Sequence, residues 1–123
     1  MTLGARAAVA ERILAGWAAL VAIVLLAPAH LLPVAVLDTG RLGLDKPAHF
    51  VLFLVTALLA SRAARPRLRH PLLLAAVASF LYGALLEGVQ GLSGFRDAEV
   101  GDLVANGLGS AAGVLVAALG RRP

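Results

Sequence analysis

The chain has 123 residues, of which 60% are hydrophobic and 15% are charged, with a mean hydropathy of +0.89. A soluble domain carries about a quarter charged residues, so this composition excludes an ordinary soluble protein, and the absence of cysteine excludes disulfides and thiolate chemistry. The net charge of +4 comes from basic residues beside apolar runs without interleaved aromatics, which favours a membrane surface and argues against nucleic acid. We therefore predict an integral membrane protein.

Four apolar runs each approach the roughly 20 residues that a helix needs to cross a bilayer. They predict transmembrane helices over residues 10–28, 47–64, 71–91 and 100–119. Pro28 is expected to bend or end the first helix, Asp45 to cap the second, and Pro47 to lie in its first turn. The predicted fold class is all-α, a single four-helix membrane bundle that comprises residues 1–123.

The distribution of basic residues predicts the orientation of this bundle. Four spans place both termini and the connection between the second and third helices on one side of the membrane. Eight of the eleven Lys and Arg residues lie on that side: Arg6, Arg12, Arg62, Arg65, Arg67, Arg69, Arg121 and Arg122. By the positive-inside rule, both termini are then cytoplasmic.

Five of the seven acidic residues fall in two windows, residues 45–49 and 87–106. A charged group in hydrocarbon costs roughly 2.5–3.5 kcal/mol on insertion scales, so charged residues are rarely kept there without a function. The concentration of acidic residues in these two windows therefore predicts a functional site. The predicted orientation brings both windows to the extracytoplasmic ends of their helices, where they can meet. We expect Asp38, Asp97 and Glu99 to be loop or helix-start charges outside the site.

Polar pairs in these windows have helical spacing, so each pair lies on one face of its helix. The pairs are Asp45 with His49, Glu87 with Gln90, and Asp102 with Asn106. Gly109 and Gly113 continue the Asp102 and Asn106 stripe, which predicts a close packing seam on the fourth helix. That stripe is therefore expected to face protein rather than lipid.

Three segments carry a resemblance to a known family. They are DKPAHF at 45–50, YGALLEGVQ at 82–90, and Arg96 followed by DLVANGLG at 102–109. In this order, with four spans and this length, they resemble the VanZ-like family, although SGFR at 93–96 replaces the Pro-Gly-Arg often found there. The resemblance implies a small multi-pass protein of the bacterial cytoplasmic (inner) membrane, associated with teicoplanin resistance, whose molecular activity is poorly defined.

The first functional hypothesis is a site for an anionic lipid-linked or cell-envelope substrate. His49 and Glu87 are the candidate acid and base, Asp45 and Asp102 orient them, and no metal or cofactor is expected. The substrate-binding candidates are Lys46, Gln90, Arg96 and Asn106. Membrane lipid is the expected partner, and nucleic acid is not.

Other interpretations remain open at this stage. Asp45 alone is compatible with a simple helix cap, and Glu87 with a structural ion pair to Arg96 or Lys46. A metal variant would use Asp45, His49, Glu87 and Asp102 as ligands. The second functional hypothesis is a non-enzymatic membrane factor whose polar residues lock the bundle. From the sequence, both an enzyme and a non-enzymatic protein stay open, as does the oligomeric state.

Overall fold

The computed structural model describes residues 1–31, 44–94 and 98–120. Four helices account for most of these residues: α1 (Leu3–Leu26), α2 (Asp45–Ala64), α3 (Pro71–Ser93) and α4 (Val100–Leu119). All four are long and apolar enough to cross a membrane, and the described part of the chain contains no strand. The prediction of an all-α protein with four membrane-length helices is confirmed.

Helix α1 begins earlier than predicted. It starts at Leu3 rather than near residue 10, because Thr2 caps it: the Thr2 hydroxyl accepts a hydrogen bond from the Ala5 amide at 3.1 Å. The helix ends at Leu26, two residues before Pro28, and a short 3-10 turn follows over Ala29–Leu31. Of the two effects expected of Pro28, the structure shows that the helix ends before it and does not bend at it.

The predicted capping role of Asp45 is wrong. Leu44 is the N-cap of α2, Asp45 is already the first helical residue, and no side chain among the described residues caps this end. The Asp45 carboxylate instead accepts a hydrogen bond from Lys46 Nζ at 3.1 Å. Pro47 lies in the first turn, where its missing N–H has no intrahelical partner to lose.

Among the described helices, α2 and α4 make the most extensive contact. A Cβ atom at Gly109 would overlap the Phe50 carbonyl oxygen, and one at Gly113 would overlap that of Leu54. Only glycine permits this backbone separation, so the predicted packing seam of α4 is confirmed. The seam fixes how the polar start of α4 faces the start of α2.

Helix α1 joins the bundle through an apolar core and directional hydrogen bonds. Val21 and Leu25 pack with Phe53 of α2 and Leu86 of α3. The Trp17 indole donates to the Thr56 hydroxyl at 2.9 Å, and the Tyr82 hydroxyl donates to the Ala18 carbonyl at 2.5 Å. These contacts place the last turn of α1 beside the end of α3, next to the polar residues of the two windows.

Candidate functional site

Three buried ionisable side chains from three different helices meet at one end of the bundle. They are His49 in the first turns of α2, Glu87 near the end of α3, and Asp102 in the first turn of α4. Their exposed fractions are 7%, 7% and 8%. One nitrogen or carboxylate oxygen from each lies within 4.8 Å of the others. The structure thus brings the two windows together.

The His49 imidazole is held by α4 on both sides. Its Nδ1 lies 2.8 Å from Oδ1 of Asn106, which is fully buried, and its Nε2 lies 3.7 Å from Oδ2 of Asp102. With the amide oxygen facing it, Nδ1 carries the proton and donates. Nε2 is then the nitrogen that faces the Asp102 carboxylate. The helical partner expected for His49, Asp45, is engaged with Lys46 instead.

Glu87 connects α3 to the start of α4. Its Oε1 accepts a hydrogen bond from the backbone amide of Glu99, the N-cap residue of α4, at 2.6 Å. The first turn of a helix leaves such amides without intrahelical acceptors, and its dipole favours a negative group there. Glu87 therefore supplies the capping interaction that α4 lacks from its own side chains. It does not pair with Lys46.

Lys46 lies at the mouth of the site among three carboxylates. Its Nζ is 2.8 Å from Glu99 Oε2, 3.1 Å from Asp45 Oδ2 and 3.6 Å from Asp102 Oδ1. Its side chain is 47% exposed. Because this single ammonium already faces three negative groups, it has little charge to offer an anionic substrate.

The remaining predicted site residues have different positions. Gln90 is buried and donates from Nε2 to the Leu25 carbonyl at 2.5 Å, so it ties α3 to the last turn of α1. Asn106 holds His49, while its own Nδ2 is buried without a hydrogen-bond partner in the described structure. Arg96 lies outside the described residues, as do Asp38 and Asp97.

Glu99 is the site residue that sequence reasoning missed. It was expected to be a charge outside the site, yet its carboxylate binds Lys46 and its amide binds Glu87. The available signal was its position three residues before Asp102, which is one helical turn. Spacing alone did not indicate that the N-cap of α4 would lie against α3.

The described cluster is rich in negative charge. Four carboxylates face one ammonium and one imidazole; they belong to Asp45, Glu87, Glu99 and Asp102. For two ionised carboxylates within 4.8 Å of each other, Coulomb repulsion at an effective dielectric of about 20 is roughly 3 kcal/mol or more. The inner group of His49, Glu87 and Asp102 therefore needs positive charge, from protons or from a bound cation.

The fold and the site together define a class: a protein of four membrane-length helices with a buried imidazole–carboxylate cluster at one end. No protein-family model, no curated protein and no solved structure matches this chain. Its likeness to the VanZ-like family therefore stands on the three sequence segments alone.

Proposed function

We propose that this chain is a VanZ-like multi-pass protein of the bacterial inner membrane that acts on a lipid-linked or cell-envelope substrate. In this proposal both termini are cytoplasmic, and the cluster of His49, Glu87, Asp102 and Asn106 opens to the extracytoplasmic leaflet. The observation that carries the proposal is the burial of His49, Glu87 and Asp102 within 4.8 Å at one end of the helices. Such groups in a membrane protein are functional candidates by default.

Apolar surface supports the membrane location. Every helix exposes large apolar side chains, including Ile23 on α1, Val51 on α2, Leu85 on α3 and Leu115 on α4. Water would make this distribution costly, whereas lipid makes it favourable. If the apolar helices lie in lipid, the polar cluster at their end is the place where a lipid head group would meet ionisable side chains.

The chemistry proposed for the cluster is proton exchange with a bound substrate. Asn106 fixes the His49 ring so that Nε2 is the exchanging nitrogen, and Asp102 stabilises the imidazolium that forms when Nε2 takes a proton. Glu87 is the complementary acid or base. Because Lys46 is surrounded by carboxylates, Arg96, which precedes α4 in the sequence, is the better proposed anchor for an anionic head group.

One observation favours a second candidate function, a non-enzymatic factor whose polar residues lock the bundle. The hydrogen bonds of His49, Glu87 and Gln90 each join two different helices. Interhelical hydrogen bonds of this kind hold membrane bundles together. Under this alternative, removing any of these side chains would lower stability together with the phenotype.

Teicoplanin susceptibility of a bacterial host that produces the chain tests the proposal. Production of the wild-type chain should lower susceptibility, and Glu87→Gln and His49→Gln should abolish the effect while the purified variants keep their melting temperature. Glu11→Gln is the matched control, because Glu11 pairs with Arg67 at the opposite end. Full phenotype in both site variants would overturn the proposal, and loss of phenotype with loss of fold would establish the bundle-locking alternative.

A further inference from the structure

We infer that His49, Glu87 and Asp102 form a binding site for one divalent transition-metal ion of the Zn²⁺ type. Their ligand atoms lie within 4.8 Å of one another. Ligand atoms bound at about 2.1 Å in a tetrahedral arrangement lie about 3.4 Å apart, so no pair of these atoms would have to approach by more than about 1.4 Å to complete the site. The sequence alone favoured no metal, because three single ligands on three helices form no recognisable motif.

The histidine geometry fits a metal ligand better than a direct ion pair. Nε2 of His49 and Oδ2 of Asp102 are 3.7 Å apart, which exceeds the roughly 2.7–2.9 Å of a charge-assisted hydrogen bond. Two ligands at about 2.1 Å in a tetrahedral arrangement lie about 3.4 Å apart, close to this separation. Metal-bound histidines also donate their other ring N–H to an oxygen, as His49 Nδ1 does to Asn106.

A second observation points to a missing positive partner. Oδ1 of Asp102 is buried without a hydrogen bond in the described structure, and the whole residue is 8% exposed. Its nearest cation, Lys46 Nζ, lies 3.6 Å away and is shared with Asp45 and Glu99. A divalent ion between Asp102 and Glu87 would balance both of their negative charges.

The outer group of acids is a poorer metal site. Asp45, Glu99 and Asp102 also bring one ligand atom each within 4.8 Å. The Lys46 ammonium already lies against all three. A metal ion there would have to displace this charge, so the ion belongs to the inner group.

The mixture of ligands indicates the class of ion. One imidazole nitrogen and two carboxylate oxygens suit Zn²⁺, whereas Mg²⁺ and Ca²⁺ prefer oxygen alone. Three protein ligands also leave an open position, as in catalytic zinc sites. The inference deepens the proposed function and rests on its premise that these side chains meet a ligand rather than only one another. With the ion bound, Nε2 of His49 and the two carboxylates would be its ligands, so the open position of the ion, rather than proton exchange at Nε2, would meet the substrate.

Metal content of the purified full-length chain tests the inference. After incubation with Zn²⁺ in detergent and removal of unbound metal, we expect one zinc per chain by elemental analysis. Glu87→Gln and His49→Gln should weaken Zn²⁺ binding by roughly tenfold or more. Glu11→Gln is the matched control: it removes the same charge at the opposite end of the bundle, where Glu11 pairs with Arg67. It should bind Zn²⁺ like the wild type.

A measurement on the wild-type chain keeps the test independent of variant folding. Co²⁺ bound in place of Zn²⁺ should give visible absorption bands of a low-coordinate site, and EDTA should remove them. Absence of both zinc and these bands would overturn the inference. Equal loss of zinc in Glu99→Gln and Glu87→Gln would also overturn it, because that result would place the ion among the outer acids. Loss of phenotype in folded Glu87→Gln without any metal binding would retain the proposed function and reject the metal.

Discussion

Asn106 shows how a single residue sets the chemistry of its neighbour. It is fully buried, and its amide oxygen lies 2.8 Å from His49 Nδ1. That contact decides which ring nitrogen of His49 faces Asp102, so it determines the base or ligand that the site presents. The buried Nδ2 of Asn106 has no hydrogen-bond partner in the described structure, so the contact with His49 is made through the amide oxygen alone.

Asn106→Ala should destabilise the chain by about 1–3 kcal/mol, because it leaves a buried imidazole N–H without its acceptor. Equilibrium unfolding in detergent measures the difference. Ser110→Ala, one turn further along α4, is the control: its hydroxyl is also buried but has no hydrogen-bond partner in the described structure. The role assigned to Asn106 would be wrong if both variants unfolded like the wild type.

Sequence spacing predicted the residues of the site better than their pairings. It placed Asp45 and His49 on one face of α2, which is correct for the backbone. Yet Asp45 pairs with its neighbour Lys46, and His49 pairs with α4. Cross-helix partners depend on the rotation and separation of the helices, and periodicity within one helix does not contain that information.

At the scale of the helices, the α2–α4 crossing sets the geometry of the site. Gly109 and Gly113 bring α4 against the carbonyl oxygens of Phe50 and Leu54 in α2. Asn106 lies one turn before Gly109, so the separation of the two backbones governs its distance to His49. The sequence predicted the glycine stripe on α4, but it did not predict which residues of α2 the stripe would contact.

Gly109→Ala should cost about 1–3 kcal/mol of stability, because its Cβ would meet a backbone carbonyl that has no room to move without shifting α4. The same shift should weaken Zn²⁺ binding, since it separates Asp102 from His49. Gly88→Ala in α3 is the control, because a Cβ there meets no heavy atom within 4 Å. Unfolding and zinc titrations on both variants make the comparison, and equal behaviour would contradict the seam.

The whole molecule has two ends of opposite character. All six arginines among the described residues lie in the first half of α1, the end of α2 or the α2–α3 connection: Arg6, Arg12, Arg62, Arg65, Arg67 and Arg69. At that end Arg65 donates to the Ala117 carbonyl of α4 at 2.6 Å, and Arg67 pairs with Glu11. The acid-rich cluster lies at the opposite end. The sequence alone predicted this separation. Four consecutive membrane spans place the α2–α3 connection on one side of the membrane and the start of α2, the end of α3 and the start of α4 on the other.

This asymmetry predicts the orientation, and the chain suits the measurement because it contains no native cysteine. Ala98→Cys and Leu68→Cys place single thiols at exposed positions, one beside the acid-rich cluster and one in the α2–α3 connection. In intact cells a membrane-impermeant maleimide should label Ala98→Cys and should label Leu68→Cys only after lysis, because the arginine-rich end remains in the cytoplasm. The reverse pattern would place the site in the cytoplasm and exclude an extracytoplasmic substrate.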